Sequence, residues 1–274
     1  MFNEILRNVK DKAPLVHNIT NYVTVNDCAN IILACGGSPV MADNEFEVED
    51  ITSISNSLVI NIGTISDTIV SAMIKAGQKA NELRRPVILD PVGVGASKLR
   101  TESVDQLLEK VKFSVIRGNI SEIKAIYAGS GFTNGVDAAE QDKVTAENLD
   151  EVIQFAQQLS AKTEAIIVIT GAIDIVVDDQ QAFVIRNGHE MMSRMTGSGC
   201  MLSALIGAFC GANPDHLLES TTAAVCAMGL CGELAYEKVV RTDAGTSSFR
   251  NYLIDYMSKM DNSMLEAGMK IERR

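Results

Sequence analysis

The feature that most limits what this chain can fold into is an alternation of short, apolar, β-rich runs with longer stretches of helical patterning. Ser57 to Asn61, Pro86 to Leu89, Ser114 to Arg117 and Ala165 to Thr170 are each short and apolar enough to be buried central strands. Each is followed by Gly, Asn or Asp and then by a helical pattern, which is the βα rhythm of a sheet covered by helices. The expectation is an α/β fold with a mainly parallel central sheet and helices on both faces. After Thr170 the rhythm changes. Ile173 to Val177 and Ala182 to Ile185 flank Asp178-Asp179-Gln180-Gln181 and predict an antiparallel hairpin with a polar turn. Helices are then expected from near Gly199, again after Pro214, and from Ser247 to Met260, and the helical region is expected to run almost to the end. Gly129 to Lys143 reads as a long surface loop before a helix over Glu147 to Ser160.

Nothing in this pattern divides the chain, so residues 1–274 read as a single domain, and a hydrophobic fraction of 46% is enough for a sizeable core. The formal net charge of −11 argues against nucleic acid or an anionic membrane as partner, since both need a basic face. The N-terminus carries no apolar run of signal-peptide length, and no segment reads as the roughly 18 apolar residues of a membrane span. The six cysteines form no C-x-x-C pair and no zinc spacing, and most sit in apolar stretches, as free thiols do in a reducing compartment. A soluble cytoplasmic protein is expected.

In open α/β sheets, ligands bind beyond the carboxyl ends of the strands, and the unusual residues lie there. Thr196-Gly197-Ser198-Gly199-Cys200 precedes the helix-forming Met201-Leu202-Ser203-Ala204. Its glycines allow close backbone approach, and free N–H groups at a helix start make an anion hole from Gly197, Ser198, Gly199 and Cys200. An ordinary Gly-rich helix entry is the competing account. Cys200 in a first helical turn could be a base or nucleophile, or a small buried side chain. Asp90 ends a strand before Pro91 and could hold Mg²⁺ directly or through water, or start a turn. Glu122 could be a second acidic group, although Asn119-Ile120-Ser121-Glu122 also fits a capping box. Arg117 offers fixed positive charge to phosphate, and Thr170-Gly171 suits a nucleotide phosphate or a plain turn. His17 to Thr24 packs amides, hydroxyls and one His before a helix around Asp27 to Ala34, suiting a small heteroaromatic ligand or a self-bonded loop. Met41 could line the apolar side of such a pocket.

With those segments in order, the chain resembles the ribokinase-like kinases, and within them it is similar to the hydroxyethylthiazole kinases. The resemblance covers nearly the whole chain. It is carried by His17-Asn18-Ile19-Thr20-Asn21-Tyr22-Val23, Gly36-Gly37-Ser38-Pro39-Val40-Met41, Asn61-Ile62-Gly63-Thr64, Leu89-Asp90-Pro91-Val92-Gly93, Arg117-Gly118-Asn119 and Thr196-Gly197-Ser198-Gly199-Cys200-Met201-Leu202. It implies a three-layer ribokinase-like fold and transfer of the γ-phosphoryl group of ATP to the hydroxyl of 4-methyl-5-(2-hydroxyethyl)thiazole, with Mg²⁺, in thiamine salvage. It implies Met41 and Gly197 at the thiazole, joined by Asn21 and Val23. Arg117 and Thr170 would meet ATP, Asp90 and Glu122 the Mg²⁺ and phosphate region. A homotrimer with the pocket at the subunit interface is also implied. Most ribokinase-like enzymes have Asp as catalytic base where this chain has Cys200, and Ser198 stands where threonine is more usual. The rival readings are a kinase for a hydroxymethylpyrimidine or pyridoxal-like alcohol, a cysteine hydrolase pairing Cys200 with His17 or His189, and a non-catalytic sensor.

Overall fold

Nine strands form one sheet in the computed structural model, which describes residues 2–129 and 143–274. They are β1 (Leu15–Ile19), β2 (Ser38–Met41), β3 (Ser57–Asn61), β4 (Val87–Asp90), β5 (Val115–Asn119), β6 (Ile166–Thr170), β7 (Asp174–Val177), β8 (Ala182–Ile185) and β9 (Ile271–Arg273). Their order is β2-β1-β3-β4-β5-β6-β7-β8-β9. Pairings from β2 to β6 are parallel and those from β6 to β9 antiparallel.

The mainly parallel sheet and the hairpin after Thr170 match the sequence pattern. Three strands were not legible in it. β1 carries His17 and Asn18 in what reads as a polar segment, and both are buried strand residues. β2 contains Pro39, tolerated because β2 is the edge strand. β9 covers the other edge, within a tail expected to be mostly helical.

Helices cover both faces. One layer holds α1 (Phe2–Lys12), α2 (Val25–Cys35), α8 (Ser198–Ala212), α9 (Leu217–Thr242), α10 (Thr246–Lys259) and α11 (Asn262–Gly268), and these share a core with Val16, Val59, Ile88, Val115 and Val168. The other holds α3 (Val48–Ile54), α4 (Asp67–Glu82), α5 (Lys98–Lys110), α6 (Ile120–Gly129) and α7 (Leu149–Thr163), packed with Leu58, Ile60, Leu89, Ile116 and Ile169. The helix expected over Glu147 to Ser160 is α7. The expected loop of Gly129 to Lys143 lies, apart from its two ends, outside the described residues.

α8 is apolar all round because it is buried all round, from Met201 to Cys210. Fully burying a side chain such as Leu205 or Phe209 contributes about 1.5–3 kcal/mol. The Ser57 hydroxyl donates to the Gly207 carbonyl at 2.7 Å and pins α8 to the sheet. α9, at 26 residues, has the length and apolarity of a membrane span, yet 78% of its most apolar window is buried within the fold. Its apolar character is accounted for by packing between α8 and α10.

Candidate active site

Side chains alternate faces along a strand, and that parity selects which polar residues meet. Val59, Ile88, Val115 and Val168 point into the core beneath α8. The residues two further along, Asn61, Asp90, Arg117 and Thr170, therefore extend the same face beyond the apolar core, at the carboxyl ends of β3, β4, β5 and β6. Asn61 and Asp90 are register partners.

These side chains form one network with the start of α8. Arg117 Nη2 donates to the Thr170 hydroxyl at 2.7 Å, and Arg117 Nη1 stands 3.4 Å from Asp90 Oδ1. Asp90 is fully buried, and its Oδ2 accepts from Asn61 Nδ2 and from the Ser203 hydroxyl, each at 2.8 Å. Asn61 Nδ2 and Asn21 Nδ2 both lie 3.3 Å from Cys200 Sγ. The polar chain thus runs from Thr170 through Arg117, Asp90 and Asn61 to the thiol.

The turn before α8 has the geometry its glycines predict. Gly197 is the N-cap at φ 91°, left-handed backbone that L side chains rarely adopt, and a Cβ there would lie 2.8 Å from Thr24 Cγ2. The first helical bond is Met201 N–H to the Gly197 carbonyl at 2.8 Å, so the N–H groups of Ser198, Gly199 and Cys200 precede the ladder and remain available to an anion. At Gly199, a Cβ would come within 2.5 Å of Arg117 Nη1. The guanidinium therefore lies directly against the helix start. Its Nε is buried with no protein partner among the described residues, leaving an N–H to offer a ligand.

Cys200 is half-buried, whereas the other five cysteines are buried. Burial pushes the thiols of Cys28, Cys35, Cys210 and Cys226 up to about 12, which keeps them protonated and unreactive. Beside Thr170, burial raises Asp174 to about 7, against the Gly171 N–H that donates to its Oδ1 at 2.8 Å and the opposing charge of Arg117.

The remaining candidates sit around this centre. Met41 ends β2 and packs against the α8 core. Val23 is exposed in the turn before α2. Glu122 closes a capping box with Asn119: its Oε2 accepts from Asn119 N–H at 2.8 Å, while Oε1 accepts from Gly93 N–H at 2.9 Å. Each Glu122 oxygen keeps a second lone pair, and the residue is half-buried. No three His, Cys, Asp or Glu side chains converge on a point among the described residues. Such a donor set builds no all-protein cage. It fits a hard cation held by water, phosphate oxygens and one or two carboxylates, as Mg²⁺ is.

His17 is a core residue on the opposite face of the sheet, its Nδ1 2.9 Å from the Thr52 hydroxyl and its Nε2 2.8 Å from the Ala42 carbonyl. Burial lowers its pKa. His189 stacks on Tyr236 at 3.5 Å between ring centroids, and its Nδ1 accepts from Met191 N–H at 3.1 Å. A hydrolase reading has no imidazole at the thiol, whose bonded partners are the two amides.

Comparison with known proteins identifies the family. The sequence profile of the Hydroxyethylthiazole kinase family matches residues 6–263. A hydroxyethylthiazole kinase of Clostridium acetobutylicum is 57% identical over 272 residues, covering 99% of each chain. The chain belongs to the hydroxyethylthiazole kinase family. Among solved structures, the hydroxyethylthiazole kinase protein of Pyrococcus horikoshii superposes with a TM-score of 0.88 at 35% identity, over 100% of this chain and 98% of the other. A ribokinase-like superfamily protein of Enterococcus faecalis, at 13% identity and a TM-score of 0.60 over 93% of this chain and 88% of its own, shares the fold. Family membership makes the chain a kinase and sets aside the hydrolase and sensor readings.

Four residues of the site were given no role of their own by the sequence reading, although Thr24 and Asn61 lie in segments that it singled out. Asn61 shares the signature that marked Asp90, a polar residue ending an apolar run. Ser203 lies one helical turn after Cys200 inside an apolar helix and carried no signal except that spacing. Thr24 donates both N–H and hydroxyl to Asn21 Oδ1, each at 3.0 Å. Arg250, from α10, donates through Nε to Asp27 Oδ1 at 2.8 Å and again through Nη2, fixing the carboxylate that flanks Gly197.

Proposed function

We propose that the chain transfers the γ-phosphoryl group of ATP to the hydroxyl of 4-methyl-5-(2-hydroxyethyl)thiazole, giving the thiazole monophosphate and ADP in thiamine salvage. The observation that carries the reading is the placement of Cys200 Sγ between two amides, at a glycine-bounded helix start lying against Arg117.

Phosphoryl transfer passes through a loose transition state in most analyses, so positioning and charge neutralisation matter more than a strong base. The N–H groups of Gly197, Ser198, Gly199 and Cys200 hold the charge of the transferring group. Arg117 adds a fixed cation and Thr170 holds that cation in place, both beside the ATP phosphates. Cys200 lies against the substrate hydroxyl and receives its proton. Met41 supplies an apolar wall for the thiazole, with Gly197, Asn21 and Val23 completing the pocket. Glu122 and Asp90 are the carboxylates that would hold Mg²⁺, through water in the case of Asp90, whose oxygens are already bound into the Arg117–Asn61 network. Bound there, the cation would neutralise phosphate charge.

The single sheet running from Leu15 to Arg273 supports one kinase domain over residues 1–274. Tyr22, Val23, Leu33, Phe46 and Ile54, all in the stretch from the end of β1 to the end of α3, are exposed apolar side chains, which supports a homotrimer that covers Val23 at a subunit interface. Six free thiols and a net charge of −11 support a cytoplasmic protein with no nucleic-acid or membrane partner.

Coupled ADP release with the hydroxyethylthiazole, ATP and Mg²⁺ tests the reading, and turnover is expected. No signal above background would overturn it. Competition by hydroxymethylpyrimidine and pyridoxal is expected to be weak, and preference for either would reassign the pocket.

A further inference from the structure

Asn61 stands at the centre of the network, and its carboxamide has every hydrogen-bonding position filled. Oδ1 accepts from Gly63 N–H at 2.9 Å and from Asn21 Nδ2 at 3.0 Å, while Nδ2 donates to Asp90 Oδ2 at 2.8 Å and faces Cys200 Sγ at 3.3 Å. The backbone N–H of Gly63 can only donate, so the amide cannot be turned over. Asn21 is fixed in the same way, its Oδ1 accepting from the backbone N–H and hydroxyl of Thr24. Two N–H donors of determined orientation therefore converge on one sulfur.

We infer that Asn61 is a positioning residue that holds Cys200 Sγ as a hydrogen-bond acceptor, and that Ser203, through Asp90, fixes the orientation in which it does so. The inference rests on the kinase reading above. Because the amides present hydrogens to the sulfur, its lone pairs face them, and any proton it carries points elsewhere. N–H groups that point at a sulfur solvate a thiolate in the place of water, and the thiolate is the form that iodoacetamide alkylates. In the reaction, the alcohol oxygen forms a bond to the γ-phosphorus as the bond from that phosphorus to the β,γ-bridging oxygen breaks. The alcohol proton passes to sulfur and ADP leaves with the electron pair of the broken bond. The group that receives the proton in that step is the thiolate, whose lone pairs the two N–H donors orient. Asp90 contributes at one remove: its Oδ2, which accepts from both Ser203 and Asn61, anchors the Asn61 amide that faces the thiol.

The test pairs steady-state kinetics with the rate at which iodoacetamide alkylates Cys200, read by mass spectrometry at fixed neutral pH. Asn61→Leu keeps the volume and removes both donors. It should lower kcat about tenfold or more with KM for ATP and for the thiazole alcohol within about threefold, and slow Cys200 alkylation by about fivefold or more. Ser203→Ala should move both in the same direction by less, and decides the matter if Asn61→Leu does not fold. A merely structural role predicts the opposite sign at the thiol, since loosened packing exposes sulfur and speeds alkylation. Faster or unchanged alkylation in both variants overturns the inference. Wild-type protein inactive on the thiazole alcohol would sink the kinase reading separately, because alkylation rates need no substrate.

Discussion

Gly199 and Arg117 occupy one space: a methyl group on the glycine would sit 2.5 Å from Nη1 and 2.7 Å from Nη2 of the guanidinium. Gly199→Ala should therefore displace Arg117 from the helix start while leaving α8 intact, since alanine is the better helix former. KM for ATP is expected to rise about tenfold or more, as a charge-assisted contact is worth about 1.5–3 kcal/mol. Calorimetric titration with ADP checks it. Unchanged affinity would show that Arg117 needs no contact with the turn.

Gly197 is constrained differently, by its own backbone and by Thr24. Gly197→Val places a branched residue at φ 91°, with a strain of about 1–3 kcal/mol, and forces Thr24 aside. Turnover should fall more than about tenfold as the N–H groups lose their aim. Near-normal turnover would remove the anion role from this turn.

Cys200→Ala leaves two amide donors facing a void. If the thiol receives the alcohol proton, the chemical step slows in single-turnover quench-flow measurements while nucleotide binding holds. An unchanged rate would leave the thiol as packing only.

Arg250→Met strands the Asp27 carboxylate, which is 5% exposed, without its cation. Breaking such a half-exposed pair should cost about 1–3 kcal/mol, measured by urea denaturation. Arg250→Lys should recover part of it.

Asp174 gives the fold a pH signature with a definite sign. Its carboxyl is raised to about 7 in the fold, against about 3.9 in an unfolded chain, so the folded state holds the proton more tightly. Stability from this group is fully present below about pH 4 and is lost as pH rises to 7. Asp174→Asn should flatten that slope, with the variant gaining in melting temperature relative to wild type between pH 5 and pH 8. Parallel melting curves at both pH values would contradict the assignment.

β3 to β6 were legible because a strand buried on both faces must be apolar throughout, as Ile166-Ile167-Val168-Ile169 is. β1 was not, because the fold hides His17 and Asn18 there by giving the His ring partners from α3 and the β2–α3 segment. Charge made Asp90 and Arg117 conspicuous at their strand ends. Asn61, in the same position on β3, is uncharged, and its importance comes from three bonds that cross to the turn after β1, to β4 and to α8, beside a local one from Gly63. Ser203 is polar and fully buried, and only the tertiary approach of α8 to Asp90 gives its hydroxyl a purpose. Local chemistry can be read along a chain, but partnership across the sheet cannot.

The alternation of faces at the strand ends has a consequence for a full substitution scan under selection for thiazole use. Within each strand, alternate positions should separate into two classes. Changes at Leu58, Ile60 and Leu89 should lower protein abundance and be rescued by cooling. Changes at Asn61, Asp90 and Arg117 should leave abundant protein that cannot support growth at any temperature.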